Sequence, residues 1–448
     1  MMPALRGNRV IRSALVLACG ACATGGAIRV SDVTPQSIPS LEATRSRQPQ
    51  DANNLTRLGV AYFKAGRFQE ARPVLDTAVA RDPGNGVAAI YLGMAAEQLG
   101  EFATARTAYL HYIGIAANDE LKRTAQQRLA LADRNEMEYQ ARQALGNESA
   151  LAAMPPESNT VAIMPFSYTG SDSTIRPLGR GLAQLLVTDL AKSRQVRVLE
   201  RERMQAILNE LKLSDSARAA PSTALRSGRL LRAARVVQGS IVDQPGSQLE
   251  VDAAVVDVGS AGVHSTARGR DLLSRVFDIE KQLALTLFNN MGIQLSPAER
   301  DAINQRPTEN LQAFLIYSHG LEAQDRGDFG AAQADFDHAV TLDPNFRAAS
   351  QSAATATNLS AASQQTVSQV ETGVSQTQTL QGPPSAPVQD ALVQGSNAVN
   401  PTNAAQTADQ SGTNTQQQTV RNTTPDFTNT AGGHPSTGNI IIIIRRPS

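Results

Sequence analysis

The stretch from Thr160 to Val258 constrains the fold most, because its hydrophobic period changes several times in a fixed order. Thr160 to Phe166 (TVAIMPF) is a short apolar run closed by Pro165. A Gly-rich polar turn then leads to Leu182, Leu185, Leu186 and Leu190 at helical spacing. Val196 to Leu199 predicts a second strand, and Glu200 to Leu213 a helix with Met204, Ile207, Leu208 and Leu211 on one face. A third helix near Leu225 to Ala234 precedes the strands Val236–Val242 and Leu249–Val258, which the turn DQPGSQ separates. Strands interleaved with helices and closed by a hairpin predict one compact α/β unit.

The segments AIMPF, VRVLERERMQAIL, AARVVQGSI and VDAAVVDVGSAGVHST resemble the periplasmic domain of the CsgG family, the curli secretion lipoproteins and their non-pore relatives. The resemblance covers residues 158–295 and is a distributed pattern, with no catalytic signature in it. In the pore-forming members, long amphipathic hairpins follow the GSI strand and the VDV strand pair and build the membrane barrel. Each membrane strand of such a hairpin needs about 9–11 residues of alternating polarity. Here Ile241 reaches Leu249 through a short turn, and Thr266 leads directly to a helix predicted from near Asp271. The resemblance therefore implies the fold without the pore.

Lys plus Arg and Asp plus Glu both number 41 in the 448 residues, so bulk charge supplies no argument for nucleic acid as a partner. Both cysteines, Cys19 and Cys22, lie at the N-terminus, which leaves no thiol downstream for a disulfide, a nucleophile or a Cys-based metal site. Arg6, Arg9 and Arg12 precede the apolar run SALVLACGA, the layout of a secretory signal over residues 1–22. The end of that run resembles a bacterial lipobox, with Cys22 as the lipid acceptor and Cys19 as the alternative. A Cys19-x-x-Cys22 redox or metal pair is the competing reading, but no neighbouring His or further Cys completes it. Ala23, in place of the Asp that favours inner-membrane retention in lipoproteins, implies the periplasmic face of the outer membrane, with the protein held to that membrane by the lipid anchor.

After a linker over 23–50, Leu58, Gly59, Tyr62, Ala71, Leu75, Ala78 and Pro83 fall at the positions of the tetratricopeptide repeat, and Leu92, Gly93, Ala96, Ala105, Tyr109 and Tyr112 repeat them. Leu75 and Tyr109 are expected to fill the gap to the next helix. A charged stretch from Glu120 to Ala144 would cap this stack, which spans 51–150. A third unit over 308–349 has Gly320, Ala323, Ala332, Phe336, Ala339 and Pro344 in register. One isolated repeat cannot bury its own apolar face, so it must dock on the central domain, the first pair or a second copy of the chain. The resemblance assigns a partner groove to the inner helices: Asn53, Thr56, Val60, Phe63 and Lys64, then Val87, Ile90, Met94, Glu97 and Gln98. The competing reading is that the apolar ones pack against the next helix. The groove lacks a Lys/Asn cluster for a terminal carboxylate and suits a mixed apolar peptide or helix.

Residues 350–439 are mostly Gln, Thr, Ser, Asn and Ala, which predicts a disordered tail. A terminal strand over 440–448 follows, with Ile440, Ile441, Ile442, Ile443 and Ile444 apolar on both faces. It reads as a self-docking edge strand or as a strand added to a partner sheet. Among His111, His264, His319, His338 and His434, no two have metal-ligand spacing, and the turn FSYTGSDSTIRPLGRG lacks a complete phosphate-loop motif. The run Glu200–Arg203 reads as a solvated charged face.

The fold class expected is multidomain α and α/β: N-terminal tetratricopeptide helical repeats, a central CsgG-like α/β domain, one further helical repeat and a disordered C-terminal tail. The expected function is that of an outer-membrane-anchored periplasmic lipoprotein, a protein–protein adaptor or scaffold in envelope or secretion-complex assembly. No catalysis, cofactor, metal or nucleic acid is expected. Partners are periplasmic or outer-membrane proteins, and a homo-oligomer stays open. The rival readings are a subunit of a curli-type secretion pore and a nucleotide-binding regulator.

Overall fold

The computed structural model describes residues 29–116, 119–213, 220–245 and 248–378. Two 3-10 turns, Val30–Asp32 and Pro35–Ser37, lead into α1 (Ile38–Arg47). The first repeat is α2 (Ala52–Lys64) and α3 (Phe68–Arg81), and the second is α4 (Gly86–Gln98) and α5 (Phe102–Ile115). Then come α6 (Asp119–Gly146) and α7 (Glu148–Ala153). The described part of the segment read as a linker is thus structured: Val30, Val33, Ile38 and Leu41 are buried against the repeat pair.

The inner helices of the repeats start and stop for local reasons. The Asp51 carboxylate accepts from the N–H groups of Asn53 and Asn54, and the Asn85 side chain accepts from Ala88 N–H, which satisfies first-turn donors. Gly66, Gly100 and Gly327 close the inner helices with φ of 72°, 72° and 80°, a conformation that glycine adopts without a Cβ clash. A Cβ on Gly59, Gly93 or Gly320 would lie 2.5 Å from Leu75, Tyr109 or Phe336. Leu75 and Tyr109 therefore fill the gap within their own repeat, where the expectation put them against the next helix.

The central domain contains β1 (Glu157–Ile163), β2 (Ser167–Tyr168), α8 (Leu178–Leu190), β3 (Arg197–Val198), α9 (Arg201–Glu210), α10 (Pro221–Leu231), β4 (Ala233–Gln244), β5 (Gln248–Asp257), β6 (Gly262–Leu272) and α11 (Val276–Asn290). The strand order is β3-β1-β4-β5-β6, with β2 also on β4. β1 runs parallel to β3 and β4, whereas β4–β5 and β5–β6 are antiparallel. Alternation along the strands divides the core. Val161, Ile163, Val237, Ile241 and Val251 join α8 and α11 on one face, while Ala162, Met164, Val236 and Val256 join α9 and α10 on the other. Both hairpins are tight, with Gln244 opposite Gln248 and Asp257 opposite Gly262. β6 continues to Leu272, so the helix predicted from near Asp271 begins only at Val276.

The chain ends its described course with α12 (Pro297–Asn304), the third repeat α13 (Leu311–Asp325) and α14 (Phe329–Leu342), then α15 (Arg347–Ser363) and α16 (Val367–Thr377). The last two lie where the sequence predicts a disordered tail from residue 350; the rest of that tail, and the strand Ile440–Ile444, fall outside the described residues, as do Cys19 and Cys22. The small-residue stripe Ala349, Ala353, Ala356, Leu359 and Ala362 is buried, which explains why so polar a segment is helical here. α15 packs between α14 and α6. As a result α6 does not cap the stack; it joins the repeat pair on one side to α9 and α15 on the other. Among the described residues no helix is long and apolar enough to cross a membrane.

Candidate functional site

The inner face of the repeat pair is covered by the chain itself. Thr56, Val60, Val87, Ile90 and Met94 are buried, and the apolar ones share one cluster with Val367, Val370 and Val374 of α16 and with Val30 and Val33 of the N-terminal turns. Phe63 is buried edge-on against Tyr91, with ring centroids 5.2 Å apart. Of the ten residues predicted for the groove, Asn53 and Gln98 alone are exposed, and both lie at helix ends.

Polar contacts fix α16 in register. The Tyr91 hydroxyl donates to Glu371 Oε1 at 2.7 Å, and Lys64 Nζ donates to Ser375 Oγ at 2.9 Å and to the Val30 carbonyl at 2.7 Å. Lys64 also lies 3.8 Å from the Glu371 carboxylate. Burial lowers the Lys64 pKa, and the Glu371 charge opposes that shift. Burial, then Glu371, raises that of Tyr91, so the phenol stays protonated and serves as donor. Backbone closes the arrangement: Val30 N–H donates to the Gln378 carbonyl at 3.2 Å.

Glu97, the acidic member of the predicted groove, is turned to a second task. It accepts from the Tyr109 hydroxyl at 2.8 Å and pairs with Arg128 of α6, whose Nε lies 3.1 Å away. Arg128 in turn donates to the carbonyls of Ala362 and Gln365, at 3.3 and 3.0 Å, where α15 turns into α16. Burial lowers its pKa to about 10. Tyr91, Arg128 and Glu371 were outside the sequence reading. A signal was present, because Val367, Val370 and Val374 stand at i, i+3 and i+7 in an otherwise polar segment.

The third repeat docks on the central domain, one of the three sites expected for it. Helices α8 and α13 cross so closely that a Cβ on Gly181 would lie 2.1 Å from Ser318 Oγ. Beside the crossing, Asp325 accepts from Arg180 Nε at 3.0 Å and from Arg201 Nη1, and Glu322 lies 3.4 Å from Arg180 Nη1. Arg180, Arg201, Glu322 and Asp325 are all buried. Burial by itself would lower the Arg201 pKa, but Asp325 and Glu202 outweigh it and the guanidinium is held charged. The run Glu200–Arg203 is therefore no solvated face: Arg201 is 1% exposed, and burial followed by Glu202 lifts Glu200 to about 8.

The polar turn after β1 is occupied by its own acid. Asp243 Oδ1 accepts from Ser171 N–H at 3.2 Å, and Tyr168 Oη accepts from Asp172 N–H at 3.1 Å. A carboxylate thus stands where a phosphate-binding turn would present donors to an anion. The His111 ring lies 2.6 Å from the Pro83 carbonyl, while His319 and His338 are exposed on the third repeat.

Family models match two parts of the chain. Residues 144–269 match the family model described as curli production assembly/transport component CsgG, and residues 34–86 and 56–120 match a tetratricopeptide repeat model. No curated protein matches the chain. Among solved structures, the LpoB C-terminal domain from Salmonella enterica is 13% identical with a TM-score of 0.22, covering 31% of this chain and 98% of that one. A tetratricopeptide repeat protein from Parabacteroides merdae ATCC 43184 is 14% identical with a TM-score of 0.20, covering 72% and 91%. The chain carries a CsgG-type domain preceded by tetratricopeptide repeats.

Proposed function

We propose that the protein is an adaptor of the bacterial envelope: a lipoprotein anchored through Cys22 to the periplasmic face of the outer membrane, holding periplasmic or outer-membrane partners on its repeats. One observation carries this reading. The inner face of the repeat pair already holds a helix, α16, through an apolar stripe flanked by the Tyr91–Glu371 and Lys64–Ser375 hydrogen bonds. A surface that selects a helix by side chains, on a repeat pair packed through α6 against a second domain, is the working part of a scaffold.

The short β4–β5 connection and the direct passage from β6, ending at Leu272, to α11, starting at Val276, favour this use over a pore subunit. The commitment of Arg180 to Asp325 and of the turn after β1 to Asp243 argues against nucleotide regulation. The test is in-cell photo-crosslinking from Asn53 and Gln98, the exposed rim, combined with palmitate labelling. We expect crosslinks to another envelope protein, and a label lost in Cys22→Ser but kept in Cys19→Ser. Crosslinks confined to the protein itself would remove the adaptor reading, and an unlabelled wild type would remove the anchor.

A further inference from the structure

We infer that α16 is a detachable, ligand-like cover of the repeat groove, and that the outside partner of this groove is a short amphipathic helix of the same pattern, Val-x-x-Val-Glu-x-x-Val-Ser. This rests on the adaptor reading and specifies its ligand. Beyond the capping box formed by Thr366 and Gln369, α16 is poorly equipped to be a helix by itself. Its sequence, VSQVETGVSQT, contains three Val, two Ser, two Thr and a Gly, all weaker helix formers than Ala. Isolated helices shorter than about 12–15 residues are marginal in water even with favourable composition. The contacts of the groove therefore create the helix.

Gly373 sharpens the point. A Cβ there would meet nothing within 4 Å, so close packing gives no reason for glycine, and its effect is to weaken the helix. The neighbouring α15 differs. It buries four alanines and Leu359, and it packs along two helices, α14 and α6. The joint between α15 and α16 is held by Arg128 on the α15 side, through the carbonyls of Ala362 and Gln365. α16 can thus leave while α15 stays. What it leaves behind is an apolar strip with Lys64 and the Tyr91 hydroxyl at its side, suited to a helix carrying one carboxylate.

The experiment uses the full chain and a fluorescent synthetic peptide spanning residues 366–378, followed by anisotropy. Three proteins are compared: wild type, Gly373→Ala, which favours the closed cover, and Val374→Asp, which places a charge in the apolar cluster and releases it. We expect affinity in the order Val374→Asp, wild type, Gly373→Ala, with about five-fold between the last two from helix propensity. Equal binding by all three, or no binding by a folded Val374→Asp protein, would overturn the inference. So would a released variant that dimerises and still excludes the peptide, because the second copy would then fill the groove. Should Val374→Asp fail to fold, hydrogen exchange decides. Gly373→Ala must slow exchange of the 367–377 amides about five-fold relative to wild type while leaving α15 unchanged, and identical rates would overturn the inference. Retained crosslinks at Asn53 and Gln98 alongside a failed peptide test would leave the adaptor standing and remove only the helix exchange.

Discussion

The same repeat motif is used in two opposite ways in this molecule. The third repeat buries one helix, α13, against α8 and closes the contact with two arginines on two acids, all four side chains inside. The first two repeats instead receive an eleven-residue helix that buries three valines, makes side-chain hydrogen bonds at two positions and has one long, partly exposed ion pair, Lys64 with Glu371 at 3.8 Å. The glycine that seats the outer helix is the same in both places, so the repeat fold does not decide permanence. Permanence comes from what is buried: removing one member of a buried ion pair strands the other, whereas a helix held by a narrow apolar stripe can return to water.

Breaking the permanent joint should have the largest effect. Asp325→Ala leaves Arg180 and Arg201 buried without their shared carboxylate, and we expect a loss of about 3–5 kcal/mol in urea unfolding. Gly181→Val forces α8 and α13 apart and should cost about 1–3 kcal/mol in the same measurement. On the removable side, Val374→Ala deletes two buried methyl groups, worth about 1.6 kcal/mol. The comparison predicts that this loss appears as faster hydrogen exchange confined to 367–377, with the global unfolding midpoint unchanged. Tyr91→Phe should act on the same amides by about 0.5–1.5 kcal/mol. The last prediction is a slope. Glu200, with an ordinary value of 4.5, is raised to about 8 by burial and by Glu202. Over that window the folded chain keeps a proton that the unfolded chain has released, so this contribution is full below pH 4.5 and is lost as pH rises to 8. Glu200→Gln should flatten the decline of the thermal midpoint between these limits.

Local pattern made much of this legible. Leucines at helical spacing gave α8, and the glycine–aromatic register gave all three repeats, because each signal lies within one element. The sequence could not show that Arg201, inside a run of four charges, is buried, since its partner Asp325 lies 124 positions away. Nor did low hydrophobicity exclude helices after residue 350, because alanines packed on α6 need little apolar area each. The residues expected to line a groove fall on α2 and α4. Their cover was missed because three valines are a faint stripe in a long polar segment.

Under the proposed Cys22 anchor, the Val30 to Gln378 hydrogen bond has a geometric corollary. Fully extended, the chain from Cys22 to Val30 reaches at most about 29 Å. With that anchor, Gln378, held to Val30 by a 3.2 Å hydrogen bond, would stand close to the far end of that leash, and the closed cover would lie near the bilayer surface. A helix peeled from the groove would then be released into the thin layer beside the membrane, where it would meet other surface-bound proteins before anything in the bulk.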